Sequence, residues 1–230
     1  MFKMSQLAAL PMLAAVAFPM QGMAQEVKVD AHAGANLSGF VSGKEYVVQD
    51  KKNTVGSNVG VGVSYELKNH LVLSTGVDFL MTTGKYSVLS EYLTDSKLSY
   101  VYPQVKSKEV AVQIPVKVGY DFSLGKKMSI IPSVGAYARY SIASIKQNVT
   151  ENFVGDNPNT FKWDCFVQHK NGNNQLDAYK RWDVGMLAEV KFLYDKHYSL
   201  SLGYSRGFLN KSSQFNVKNQ SFTFTLGYIF

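Results

Sequence analysis

The end of the chain is its most restrictive feature. From Phe222 onward Phe222, Phe224, Leu226, Tyr228 and Phe230 are apolar, Ser221, Thr223, Thr225 and Gly227 are small or polar, and Ile229 alone breaks the rule. A period of two places successive side chains on opposite faces of an extended strand, so this segment has one apolar and one polar face. The pattern recurs upstream. Tyr198, Leu200, Leu202 and Tyr204 alternate with Ser199, Ser201, Gly203 and Ser205, and Trp182, Val184, Met186, Ala188, Val190, Phe192 and Tyr194 are opposed by Asp183, Gly185, Glu189 and Lys191.

Five further rows follow the same logic. Pro132 to Ile142 runs against Ser133, Gly135, Tyr137, Arg139 and Ser141, and Val110 to Phe122 against Gln113, Lys117, Gly119 and Asp121. Leu71 to Met81 runs against Ser74, Gly76 and Asp78, Val59 to Tyr65 against Gly60, Gly62, Ser64 and Glu66, and Val27 to Leu37 against Lys28, Asp30, His32, Gly34, Asn36 and Ser38. The links alternate too. They are short at Lys68-Asn69-His70, Leu124-Gly125-Lys126-Lys127 and Asp195-Lys196-His197, and long near 42–54, 86–106, 146–180 and 209–218. Together these features predict an all-β chain, an eight-stranded antiparallel up-and-down transmembrane β-barrel with short periplasmic turns and long extracellular loops. An even strand number puts both termini on the periplasmic side.

A soluble barrel would turn the apolar row inward, whereas a membrane barrel turns it to lipid and fills its interior with the polar row. The polar row here is rich in Gly, Ser and opposite charges, and the apolar rows begin or end on Tyr, Trp or Phe, which favours the membrane arrangement. Closure is then obligatory, because an open edge would leave backbone groups unsatisfied in hydrocarbon.

The first residues read differently. Lys3, the apolar run Leu7 to Phe18 and the small residues of Gly22-Met23-Ala24 predict a cleaved signal peptide over 1–24, leaving a barrel domain over 25–230. A membrane-anchoring helix is the alternative, but Pro11 and Pro19 interrupt the run and it falls short of the roughly 20 apolar residues a span needs. The single cysteine, Cys165, excludes an intramolecular disulfide and any multi-thiolate metal site. The formal charge of +7 comes from dispersed Lys and Arg with no basic arm or helix, so the expected partners are outer-membrane lipid and lipopolysaccharide phosphates and not nucleic acid.

In the order of its motifs the chain resembles the outer-membrane β-barrel family that includes PorT-like proteins. The residues are Val27-Lys28-Val29 with Gly34 and Asn36, Leu71 to Val77, Val112-Gln113-Ile114-Pro115-Val116-Lys117-Val118-Gly119-Tyr120, Leu200 to Tyr204 followed by Gly207-Phe208-Leu209-Asn210, and Leu226 to Phe230. The resemblance implies a fold and an outer-membrane location but no catalytic residue. One branch of the family takes part in protein secretion. A terminal Phe230 is similar to the signal read by the barrel assembly machinery, an expected partner during biogenesis.

The interior row holds Lys28, Asp30, His32, Glu66, Asp78, Lys117, Asp121, Arg139, Asp183, Glu189 and Lys191. An eight-stranded barrel is just wide enough for side chains to fill, so these charges are expected to pair and plug the lumen. A lipid-modifying enzyme built on His32, Asp30 and Ser38 is a competing reading; no nucleophile elbow supports it, and His70 and His197 fall in turns. A metal set of Asp164, Cys165, His169 and Asp177 matches no zinc spacing, so neither a metal nor another cofactor is expected. Cys165 reads either as a small buried hydrophobe or as a free thiol. The stretch 146–180 carries Phe153, Phe161, Trp163 and Phe166 among polar residues, which reads as a recognition surface for an envelope or extracellular partner. The alternative is a hairpin extension of the two flanking strands. The function expected is non-enzymatic, in envelope integrity or partner binding, with a secretion component and a lipid enzyme as alternatives.

Overall fold

The computed structural model describes residues 26–42, 48–67, 69–88, 90–94, 97–101, 104–145, 147–151, 159–171, 174–176, 178–213 and 216–230. Eight strands carry the fold: β1 Glu26–Ser42, β2 Val48–Glu66, β3 Leu71–Val88, β4 Gln104–Tyr120, β5 Met128–Ile145, β6 Trp182–Tyr194, β7 Tyr198–Gly207 and β8 Val217–Ile229. Each pairs antiparallel with its neighbours in sequence. The first strand closes on the last, from Asp30↔Ile229 to Ser42↔Val217, so the sheet is a closed barrel. The fold expected from the alternation is therefore the one observed.

The outward rows are apolar. β6 alternates exposed and buried positions through its first half, with Trp182, Val184, Met186 and Ala188 outside and Asp183, Gly185 and Leu187 inside. Its 13 residues, rising about 3.3 Å each at a tilt of roughly 45°, reach about 30 Å, enough to cross hydrocarbon. Aromatic rings gather at both edges of this band. Tyr140 packs on Trp182 at 4.9 Å and Tyr204 on Phe222 at 4.8 Å near the loop end, while Tyr120 packs on Phe122 at 4.8 Å and Tyr198 on Tyr228 at 5.7 Å near the turns.

The turns explain why the short links suffice. Asp195 and Lys196 both have positive φ, 51° and 62°, the pair of left-handed residues that a type I′ turn requires between twisted strands. At the loop end the link 146–180 contains strands of its own. Gln147–Glu151 pairs with Asn159–Trp163 and extends onto β4 through Gln104↔Thr150, and His169–Asn171 pairs with Asn174–Leu176. The first of these hairpins continues from the end of β5, but its return strand Asn159–Trp163 is separate from β6, so only one of the two flanking strands is extended.

Candidate functional site

The site is the barrel interior and the loops that close it. At the turn end lies an apolar floor of Val72, Ile131, Leu193 and Ile229, all buried. Ile229, the one exception in the final alternating row, is inward because it completes this floor. Asp121, just past β4, is also buried, and its Oδ1 has no hydrogen-bond partner among the described residues. Lys28 Nζ donates to Glu66 Oε2 at 2.8 Å at the same end of the barrel.

Above the floor the interior charges meet. His32 places Nδ1 2.8 Å from Asp30 Oδ2 and Nε2 2.9 Å from Asp78 Oδ1, so a doubly protonated ring satisfies both carboxylates. Lys191 Nζ approaches Asp30 Oδ1 at 3.5 Å, and Lys117 Nζ donates to Glu189 Oε1 at 2.7 Å. Gly60 makes this packing feasible, because a Cβ there would collide with both Asp78 Oδ1 and His32 Nε2. The space left over is about 80 Å³, walled by these ions with Ser199, Ser201, Thr223 and Thr225.

Higher still, Arg139 donates from Nε and Nη2 to Gln113 Oε1 at 3.0 and 2.6 Å, and Asp183 Oδ2 accepts from Tyr137 at 3.2 Å and Asn219 at 2.8 Å. Asp183 is only 1 % exposed. Among the described residues Arg139, Asp183 and Asp121 form no ion pair, whereas the other members of the sequence-derived interior set do. Asn36 donates to the carbonyls of Ser57 and Met81 at 3.0 and 3.2 Å.

At the loop end the described residues form a folded cap. Lys211 Nζ donates to Glu109 Oε2 at 2.7 Å with both side chains buried, and Ser141 donates to the same oxygen at 2.8 Å. Arg181 Nη1 donates to the carbonyls of Ser141 and Ile142 at 3.0 and 2.8 Å, its guanidinium lies 4.3 Å from the centre of the Phe166 ring, and Tyr179 N donates to Cys165 O at 2.7 Å. Cys165 is fully buried with Sγ 3.1 Å from Ser144 Oγ, and burial, with Glu109 nearby, pushes its thiol up to about 12. Of the two readings of this residue the geometry places it among buried small groups.

The residues of the imagined hydrolase do not converge. Ser38 donates to Asn36 and lies 3.3 Å from Ser221 Oγ, while both ring nitrogens of His32 are occupied by carboxylates. His70 and His197 sit in the turns. Of the metal set, Asp164 accepts from Phe166 N at 3.0 Å; Asp177 and the side chain of His169 lie outside the described residues. Among the described residues no group of three potential metal ligands forms. Phe153 lies outside them, as do the side chains of Phe161 and Trp163, whereas Phe166 is half-buried beneath Arg181. Phe230 is exposed, with its N–H on Val29 O at 2.9 Å.

The family described as outer membrane protein beta-barrel domain matches residues 23–213. The chain belongs to that family. It is a bacterial outer-membrane protein, and the match runs over β1 to β7 of the barrel just described. No curated protein matches it. Among solved structures, Ail of Yersinia pestis is 12 % identical over 89 % of this chain and 99 % of its own, with a TM-score of 0.40. Neisserial surface protein A is 14 % identical over 90 % and 100 %, with a TM-score of 0.40. OprG of Pseudomonas aeruginosa is 10 % identical over 90 % and 97 %, with a TM-score of 0.45.

Several residues of this outer-membrane barrel's interior escaped the sequence reading. Glu109 lies on the polar row of β4, four residues before Gln113, so continuing the alternation past Ala111 would have found it. Lys211 lies outside any alternating row, and no periodicity points to it.

Proposed function

We propose that the protein is a non-enzymatic integral outer-membrane barrel that supports envelope integrity or holds an envelope or extracellular partner through its loop end. The observation that carries this reading is the packed interior: floor, ion layer and cap leave a cavity of only about 80 Å³. Nothing larger than a few waters fits such a space. At the loop end, by contrast, the described residues form hairpins and a hydrogen-bonded cap, a pre-ordered backbone that lowers the entropy cost of holding a partner.

On this reading residues 1–24 direct export and are removed, the turn end faces the periplasm, and Phe230 serves the barrel assembly machinery. N-terminal sequencing of the protein from outer membranes should begin at Gln25. The function is tested by deleting the gene and measuring both detergent sensitivity and the export of secreted proteins. Increased sensitivity with normal export supports it. Loss of export with an intact envelope would sink it in favour of a PorT-like secretion component.

A further inference from the structure

The barrel wall is uneven at its loop end. β6 begins at Trp182, whose partner on β5 is Tyr140, and β5 runs on beyond that pair to Ile145. Gln147–Glu151 takes up the wall again beside Gln104 and Val105 of β4, and Asn159–Trp163 returns antiparallel along it. There the sheet stops. Among the described residues Asn159–Trp163 pairs on one side only, and no backbone hydrogen bond leaves its other side. Gln147, the partner of Trp163, lies seven residues past Tyr140, or about 23 Å along the strand. The edge is therefore in water. In hydrocarbon an open edge would be untenable, whereas in water it is a template for another strand.

Proteins blunt such edges with proline, a bulge or a charge. Here the five residues pair with Gln147–Glu151 in unbroken register and include neither Pro nor Gly. Thr160, Phe161 and Trp163 are strand-favouring types. One blunting device is present: the side chain of Lys162 is exposed. A lysine on an edge rejects strands that carry a cation opposite it and favours those that carry a carboxylate. The other short pairs at this end, Ser90–Thr94 with Lys97–Val101 and His169–Asn171 with Asn174–Leu176, are two-stranded sheets by themselves. Such sheets are marginal platforms, while Asn159–Trp163 is backed by the sheet of the whole barrel.

We infer that Asn159–Trp163 is a docking edge for an extended acidic segment of an extracellular protein, which adds to it as the next antiparallel strand. Main-chain hydrogen bonds supply the affinity, and Lys162 selects the charge. A second copy of the chain does not suit this edge. Two copies in one membrane stand the same way up, so a two-fold axis between them sets Lys162 level with Lys162, and like charges opposite one another destabilise a sheet. This deepens the partner-binding half of the function proposed above, on which it rests for the orientation of the loop end.

The folded full-length barrel in detergent is titrated with a fluorescein-labelled decapeptide of alternating threonine and valine with two central glutamates, and anisotropy is read. The parent should bind it roughly fivefold more tightly than the same peptide with two central lysines, and Lys162→Glu should reverse that preference. N-methylation of the central residues removes their donors and should abolish binding. Lys162→Glu should keep the heat-modifiable gel mobility of the folded barrel, which separates a lost contact from a lost fold. No binding by the parent, equal affinity for the two peptides, or undiminished binding of the N-methylated peptide overturns the inference. Loss of export with an intact envelope in the deletion strain would instead remove the functional reading and leave the peptide result standing.

Discussion

The buried Glu109–Lys211 pair shows what one residue can decide. Both side chains are removed from water, so deleting one partner strands a charge, whereas replacing both by neutral groups does not. Lys211→Met should cost about 3–5 kcal/mol of stability in urea unfolding followed by gel mobility, and Glu109→Gln/Lys211→Met should recover most of that loss. Equal losses in the single and double variants would show that the pair does not hold the cap. Cys165 gives a second readout of the same region. With its thiol pushed up to about 12, thiolate is scarce near neutral pH, and burial blocks access as well. Folded protein at about pH 8 should therefore resist N-ethylmaleimide for a time that fully labels the urea-unfolded chain. Prompt labelling of the folded form would mean that the cap opens readily.

The elements were legible in the sequence to the degree that lipid enforces them. A strand facing hydrocarbon on one side and a tight lumen on the other must alternate strictly, and all eight rows follow from that constraint. Ile229 looked like an error in the last row because alternation is a property of one strand, while the floor it joins is assembled from β3, β5, β6 and β8. The two register shifts between β2 and β3, at Gln49/Lys52 and at Asn53/Ser57, were hidden for the same reason, since they exist only between two strands. Lys211 was hidden because a loop residue reaches the lumen by the path of the chain and not by period. The turn between β6 and β7 shows a local compromise that the sequence does carry. Left-handed backbone costs a residue with a Cβ roughly 1–2 kcal/mol, and glycine nothing. Lys196→Gly should thus raise stability by about 1 kcal/mol, seen as a higher urea midpoint with an unchanged slope. On the lipid face the sign reverses: Phe224→Lys places a charge in the apolar band and should cost about 2–4 kcal/mol near its middle.

At the scale of the whole molecule, the filled interior makes a direct electrical prediction. Among the described residues, paired ions and the cap leave about 80 Å³ of free space in the lumen, which is little room for a water-filled path. Planar-bilayer recordings of the folded protein should show no stable conductance, and a large steady channel would contradict the packing described above. The closure of the barrel has a further consequence, for time instead of shape. Seven of its eight seams join strands adjacent in the chain, but the eighth joins Asp30 to Ile229, across almost the entire sequence. Contacts between such distant residues are the slowest to form, and no intermediate lacking the last strand can hide its edges. Synthesis must therefore finish before folding can, and every copy spends an interval as an unclosed chain that something else in the cell has to keep from aggregating.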